Sequence, residues 1–169
     1  MLGAFGSNRW VRHGDGDNKW TGGLLRITTG PKDWEDVEYI DMAESCDLID
    51  VPCEVFSSLK SGGAAFCFFE VIAYISTIIW MTKITFIILQ RPFLDNIIVY
   101  IWPGVGLGCH ILGEIIWSGV TKAKFDGNCK NYKEKELCST EGPAVVLTVT
   151  CLYIVAFALF IVFYIKRFE

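Results

Sequence analysis

Two carboxylates and an imidazole, Glu70, Glu114 and His110, stand inside otherwise apolar runs of this 169-residue chain. Ionisable side chains are expensive in such surroundings, so each needs a partner or a water-filled cavity. His110 and Glu114 are four residues apart and share one face of a helix, which Trp117 continues. Such a set can line a proton or cation path, or make a polar contact to the transmembrane helix of a partner. It can also form a mutually satisfied cluster, such as Glu114 with His110, that fixes helix packing. The satisfied cluster is favoured, because intramembrane charged groups commonly pair. Lys83 falls near the end of its run and is expected to snorkel to the headgroups.

Seven cysteines divide by position. Cys46 and Cys53 lie in the N-terminal polar region, and Cys129 and Cys138 lie in a second polar stretch. Cys67, Cys109 and Cys151 are inside apolar runs. Paired cysteines confined to one side of a membrane suggest an oxidising compartment. Pairing within each loop is expected, although four cysteines allow three connectivities.

Other chemistry finds little support. Asp15-Gly16-Asp17-Asn18 suggests calcium, but Lys19 stands where a further ligand belongs and no downstream glutamate completes the loop. The glycines of 103–108 superficially suggest a nucleotide loop, which needs a strand-turn-helix setting. Inside an apolar run they point instead to close helix packing, with Gly104 and Gly108 at small-xxx-small spacing. The two histidines, His13 and His110, form no zinc pattern with the cysteines, and no serine sits in a nucleophile elbow. No catalytic residue, cofactor or metal is expected, and the chain is not read as an enzyme.

The elements that must position these residues follow from hydropathy. Hydrophobic residues make up 52% of the chain, charged residues only 20%, and the mean hydropathy is +0.39. Runs at 64–89, 94–120 and 144–165 are each long enough to cross a bilayer, which takes about 20 mainly apolar residues. A turn at 90–93 joins the first two as a tight hairpin, a polar loop at 121–143 precedes the third, and a tail at 166–169 ends the chain. Residues 1–63 carry eleven acids and six bases, a net −5 against −4 for the whole chain. Nucleic acid is therefore not an expected partner.

Within 1–63, residues 24–29 read as a short strand bounded by Gly22-Gly23 and Gly30-Pro31. Trp10, Trp20 and Trp34 fit core or lipid anchors better than partner contacts. Arg91 and Lys166-Arg167 argue for a cytosolic turn and tail, whereas five lysines in the loop after 120 pull that loop the same way. The cysteines break the tie and place 1–63 and 121–143 outside. An outside N-terminus needs an earlier span. Residues 1–6 are apolar and fit the end of one, so four spans are expected in the native protein. The fold class is thus an α-helical transmembrane bundle, three spans here, with a small disulfide-stapled β-rich extracellular segment.

An early Trp10 or Trp20, then Gly23-Leu24-Leu25, then Cys46 and Cys53 just before a span, resemble the claudin-like tetraspan superfamily. That superfamily includes claudins, peripheral myelin protein relatives and calcium-channel gamma subunits. The short hairpin, small second loop and final span extend the likeness over nearly the whole chain, with the first of four spans absent. Leu25 replaces the usual tryptophan and Cys46 lies far beyond it, which is more like gamma subunits than tight-junction claudins.

The resemblance implies a non-enzymatic accessory or structural subunit of a larger membrane assembly, homo- or hetero-oligomeric, in contact with membrane lipids and other integral membrane proteins. The plasma membrane, or another membrane with an oxidising outer face, is its expected location. Trp20, Trp34, Glu35, Asp36, Gly104 and Gly108 are its expected contact residues. The alternatives are a cell-contact or barrier protein using the acidic ectodomain, a proton or cation transporter using Glu70, His110 and Glu114, and a subunit of an energy-transducing complex.

Overall fold

A computed structural model describes residues 9–13, 19–30, 36–44, 53–89, 98–124 and 137–168. The chain divides into two compact units. Met1–Phe66 with Glu114–Val146 form the first, and Cys67–Gly113 with Leu147–Glu169 form the second. Trp34, Glu35, Cys46, Cys129 and the segment 14–18 fall outside the described residues.

The first unit holds an antiparallel sheet of four three-residue strands: β1 (Val11–His13), β2 (Trp20–Gly22), β3 (Ile27–Thr29) and β4 (Leu137–Ser139), in the order β3-β2-β1-β4. The period-2 pleat buries Val11 and His13 on β1 and Trp20 and Gly22 on β2, with Arg12 and Thr21 between them half-buried. Val11 stands opposite both Gly22 and Ser139, so β1 joins the N-terminal segment to the later polar loop. Strands this short do not persist alone, and main-chain bonds beyond the strands hold them. Trp10 N–H donates to Gly22 O at 2.7 Å, Thr140 N–H to Trp10 O at 2.9 Å, and Gly142 N–H to Arg9 O at 2.8 Å.

Both sheet edges are covered, which guards them against pairing with another chain. Beside β4, Lys124 N–H donates to Leu137 O at 2.9 Å and its carbonyl accepts Ser139 N–H at 3.0 Å. On the other edge Ile27 N–H donates to Val37 O at 2.8 Å. Chain beyond that point turns into the short helix α1 (Tyr39–Glu44). Of the expected strand at 24–29, only Ile27–Thr29 is extended, because Leu24 and Leu25 are taken up by the bend that precedes it.

Helix α2 (Cys53–Ile88) begins eleven residues before the expected span and supplies its first turns to the first unit. Helix α3 (Ile98–Thr121) ends in the same unit, and α4 (Glu141–Phe168) starts there. Aromatic rings fill the space against the sheet. Trp10 meets Phe66 and Trp117 edge-on, at centroid distances of 4.8 and 5.0 Å. Trp20 lies 5.7 Å from Phe56 and 6.4 Å from Tyr39. Two glycines make this approach feasible: a Cβ on Gly63 would strike the Leu24 carbonyl, and one on Gly142 would lie 2.7 Å from the Trp10 ring.

Tyr39 is fully buried and donates its O–H to Gly23 O at 3.0 Å. Burial pushes its phenol well above the ordinary tyrosine range. Below about pH 10 the phenol is neutral in folded and unfolded chains alike, so its contribution is intact. Above that, only the unfolded chain readily releases the proton, and stability falls as pH rises. Melting curves between pH 8 and 11 are expected to show this alkaline loss. Tyr39→Phe should remove that component while costing about 0.5–1.5 kcal/mol at neutral pH for the lost hydrogen bond.

In the second unit Trp80 of α2 packs on Tyr153, Phe157 and Phe160 of α4, with ring centroids 5.8, 6.0 and 5.4 Å away. Outward faces are strongly apolar, with Phe68, Ile75, Leu152, Val155, Leu159 and Phe163 exposed. Two helical segments, Cys53–Ile88 and Glu141–Phe163, are long and apolar enough to cross a membrane. The expected span at 94–120 does form a helix, α3. It is helical over Ile98–Thr121, with Pro103 inside it, and the two segments above are those found among the described residues.

Candidate functional site

On α2 the buried positions of the second unit are Glu70, Ala73, Ser76, Trp80 and Lys83, spaced three or four apart. That spacing forms one stripe along a helix, and three of its five members are polar. Pro103, Gly106, His110 and Gly113 form the buried stripe of α3 in the same unit. The two stripes bring Glu70 and His110 together: His110 Nδ1 and Glu70 Oε1 share a hydrogen bond. Both side chains are closed off, with exposures of 1% and 0%.

Two net-neutral proton arrangements satisfy this contact; a neutral imidazole Nδ1–H donating to a carboxylate also satisfies it but leaves one buried negative charge. In one, an imidazolium Nδ1–H donates to a carboxylate; in the other, the carboxylic O–H donates to a neutral imidazole nitrogen. They differ by one proton moved along the bond, and in each the pair carries no net charge. Burial of such a neutral couple avoids the cost of an isolated buried ion. Glu70 Oε2 and His110 Nε2 are buried without a hydrogen-bond partner, so the couple retains one acceptor and one ring nitrogen beyond its own bond.

Neighbouring hydroxyls are occupied by their own helix. Ser76 donates to Ile72 O and Thr77 to Ala73 O, each at 2.8 Å, a back-bonding habit of such residues in helices. Close packing sits just beside them. A Cβ on Gly106 would lie 2.9 Å from the Tyr153 hydroxyl, 3.3 Å from Ser76 Cβ and 3.4 Å from Ala73 O. Among the described residues, no group of three or more His, Cys, Asp or Glu is placed to hold a metal ion.

Several expectations need correction against this geometry. His110 takes its bond from Glu70 on another helix, whereas the i,i+4 spacing suggested Glu114, which is half-buried and belongs to the first unit. Lys83 is buried and does not snorkel to a headgroup layer. A Cβ built on Gly104 or Gly108 would meet nothing within 4 Å among the described residues, so within the chain the glycine of α3 in tight contact is Gly106, because the buried face of α3 passes through 106 and 110. Trp20 is wholly inside the first unit's core and presents no contact surface.

Asp36 is exposed and adopts φ 63°. Arg26 Nη1 donates to its Oδ1 at 3.0 Å, with Glu38 3.5 Å from Nη2. That pairing, with Asp36 foremost, holds the Arg26 guanidinium above its ordinary range. The pair is solvent-exposed and so contributes little stability.

Cys67, Cys109 and Cys151 carry free thiols, while Cys53 and Cys138 are disulfide-bonded. Sequence reasoning missed β4, whose three residues are too few to show a period, and the α2 stripe that selects Glu70 as His110's partner. A 3.6-residue count through Glu70, Ala73, Trp80 and Lys83 carries that signal. No protein-family model, curated protein or solved structure matches the chain.

Proposed function

We propose that this chain is an integral membrane protein of claudin-like build, serving as a non-enzymatic accessory or structural subunit of a larger membrane assembly. The observation that carries this reading is the enclosure of Glu70 and His110, which bond to each other and expose almost nothing. A couple closed on itself suits a lock between helices better than a conducting path, which needs access from both sides. Support also comes from the apolar outer faces of α2 and α4, which suit lipid contact.

Residues 1–63 and 121–143 face an oxidising compartment, with disulfides Cys46–Cys53 and Cys129–Cys138 stapling the two polar segments. The exposed acidic turn at Asp36 and the open Gly104/Gly108 face of α3 would meet the partner. The remaining buried atoms, Glu70 Oε2 and His110 Nε2, favour a second reading as a proton or cation transporter.

Liposomes carrying the purified chain separate the two. The accessory reading expects proton and cation leakage equal to that of protein-free liposomes, and cross-linking in native membranes that joins the chain to a defined integral membrane protein. Flux abolished by Glu70→Gln would instead establish the transporter. A chain that is monomeric and uncross-linked in its own membrane would remove the accessory reading.

A further inference from the structure

Along α2, within the second unit, Val71, Tyr74, Ile78, Met81, Thr85 and Ile88 are all exposed. They recur at alternating spacings of three and four residues. That is the heptad seam by which two parallel helices wind together. Lipid tails could cover its aliphatic members equally well. Tyr74 is the member they do not suit.

Tyr74 is 42% exposed, and its hydroxyl has no hydrogen-bond partner among the described residues. Thr85, the other hydroxyl of the seam, is satisfied by its own helix, donating to Met81 O at 3.0 Å. A tyrosine ring holds its oxygen too far from its own backbone for that remedy. Tyr74 also lies ten residues into the apolar run at 64–89, about 15 Å along the helix axis. Where α2 crosses a bilayer, that depth is hydrocarbon, which neither donates nor accepts a hydrogen bond; the inference rests on the membrane reading. A hydroxyl held there needs a protein partner at the same depth.

Copies of one chain insert in the same orientation. Two α2 helices that meet are therefore parallel, and about a two-fold axis each seam residue finds its own counterpart at its own depth. A phenolic hydroxyl both donates and accepts, so one Tyr74 satisfies another. A different protein would have to bring a matching group to that level, whereas a second copy carries one by symmetry. We propose that this seam is the contact between two copies of the chain. The Tyr74 hydroxyl of one protomer donates to that of its partner, Val71 and Ile78 pack on either side, and the polar pair fixes the register.

Cross-linking in native membranes tests this on the full chain, with Cys67→Ala, Cys109→Ala and Cys151→Ala as background. On mild oxidation, Ile78→Cys is expected to give a species of twice the chain's mass. Leu152→Cys, also exposed but on α4, should give none. Tyr74→Phe keeps the ring and should melt with the parent. Its dimer in detergent, followed by sedimentation equilibrium, should dissociate about threefold to tenfold more readily, the worth of one hydrogen bond between membrane helices.

Ile78→Cys that stays monomeric, or that joins a different protein instead, would overturn the assignment. So would a dissociation constant unchanged by Tyr74→Phe. Alkaline carbonate extraction of the same membranes separates this proposal from the reading beneath it. Release of the chain defeats the membrane reading and this proposal together. A chain that stays embedded but does not cross-link through Ile78→Cys defeats this proposal alone.

Discussion

Trp10→Ala is expected to destabilise the sheet-bearing unit by about 3–5 kcal/mol, the range for truncating a large buried aromatic. Trp10 is almost fully buried and sits edge-on to Phe66 of α2 and Trp117 of α3. Its main chain is bonded on both sides, to Gly22 in β2 and to Thr140 just before α4. Alanine keeps those bonds but empties the space between the rings, and helices on either side cannot close it without moving the sheet. Because whole domains are stable by only about 5–15 kcal/mol, the loss should leave the unit partly open at physiological temperature. Thermal melts followed by tryptophan fluorescence would measure it, and limited proteolysis within 19–30 should accelerate. Trp10→Phe retains most of the ring volume and should cost clearly less. A melting temperature unchanged by Trp10→Ala would show that the sheet does not depend on this anchor.

The contrast between what hydropathy reveals and what it hides is clearest at the charged residues. An apolar run is a property of neighbours in sequence, so the helices around Glu70, His110 and Lys83 could be expected from composition alone. Which helix supplies a partner is not such a property. His110 and Glu114 look paired because their spacing is visible, whereas Glu70 is forty residues away and reaches His110 only through packing. Gly104 and Gly108 show the same limit. Their spacing announces a small-residue face, but only the packing of α3 decides that Gly106 meets Tyr153 and Ser76. Strands fare worse: in β1, β2 and β4, three residues each, no alternation can rise above chance, and β1 is held to β4 by bonds between segments more than a hundred residues apart. Trp20 could be assigned to the core as the commoner fate of tryptophan, and its burial beside Tyr39 and Phe56 excludes the contact role.

A double-mutant cycle at Glu70 and His110 carries the other large effect. Glu70→Leu alone strands the imidazole, and His110→Leu alone strands the carboxylate, both in a dry interior. Breaking a buried pair by removing one partner costs about 3–5 kcal/mol, because the survivor keeps its desolvation penalty without compensation. Removing both partners at once removes both penalties, and replacement by apolar groups of similar volume is often neutral. The double variant should therefore melt close to the parent, while each single variant melts far below it, a coupling of about 3 kcal/mol or more. Glu70→Gln is intermediate, since its amide can still bond Nδ1 but the exchange of a proton along the bond is lost. The cycle also bears on function. A lock predicts that the double variant still joins its membrane assembly, because what the pair supplies is packing specificity that two leucines can substitute. A conduit predicts the same stability and assembly but a loss of the parent's flux, since no leucine carries a proton.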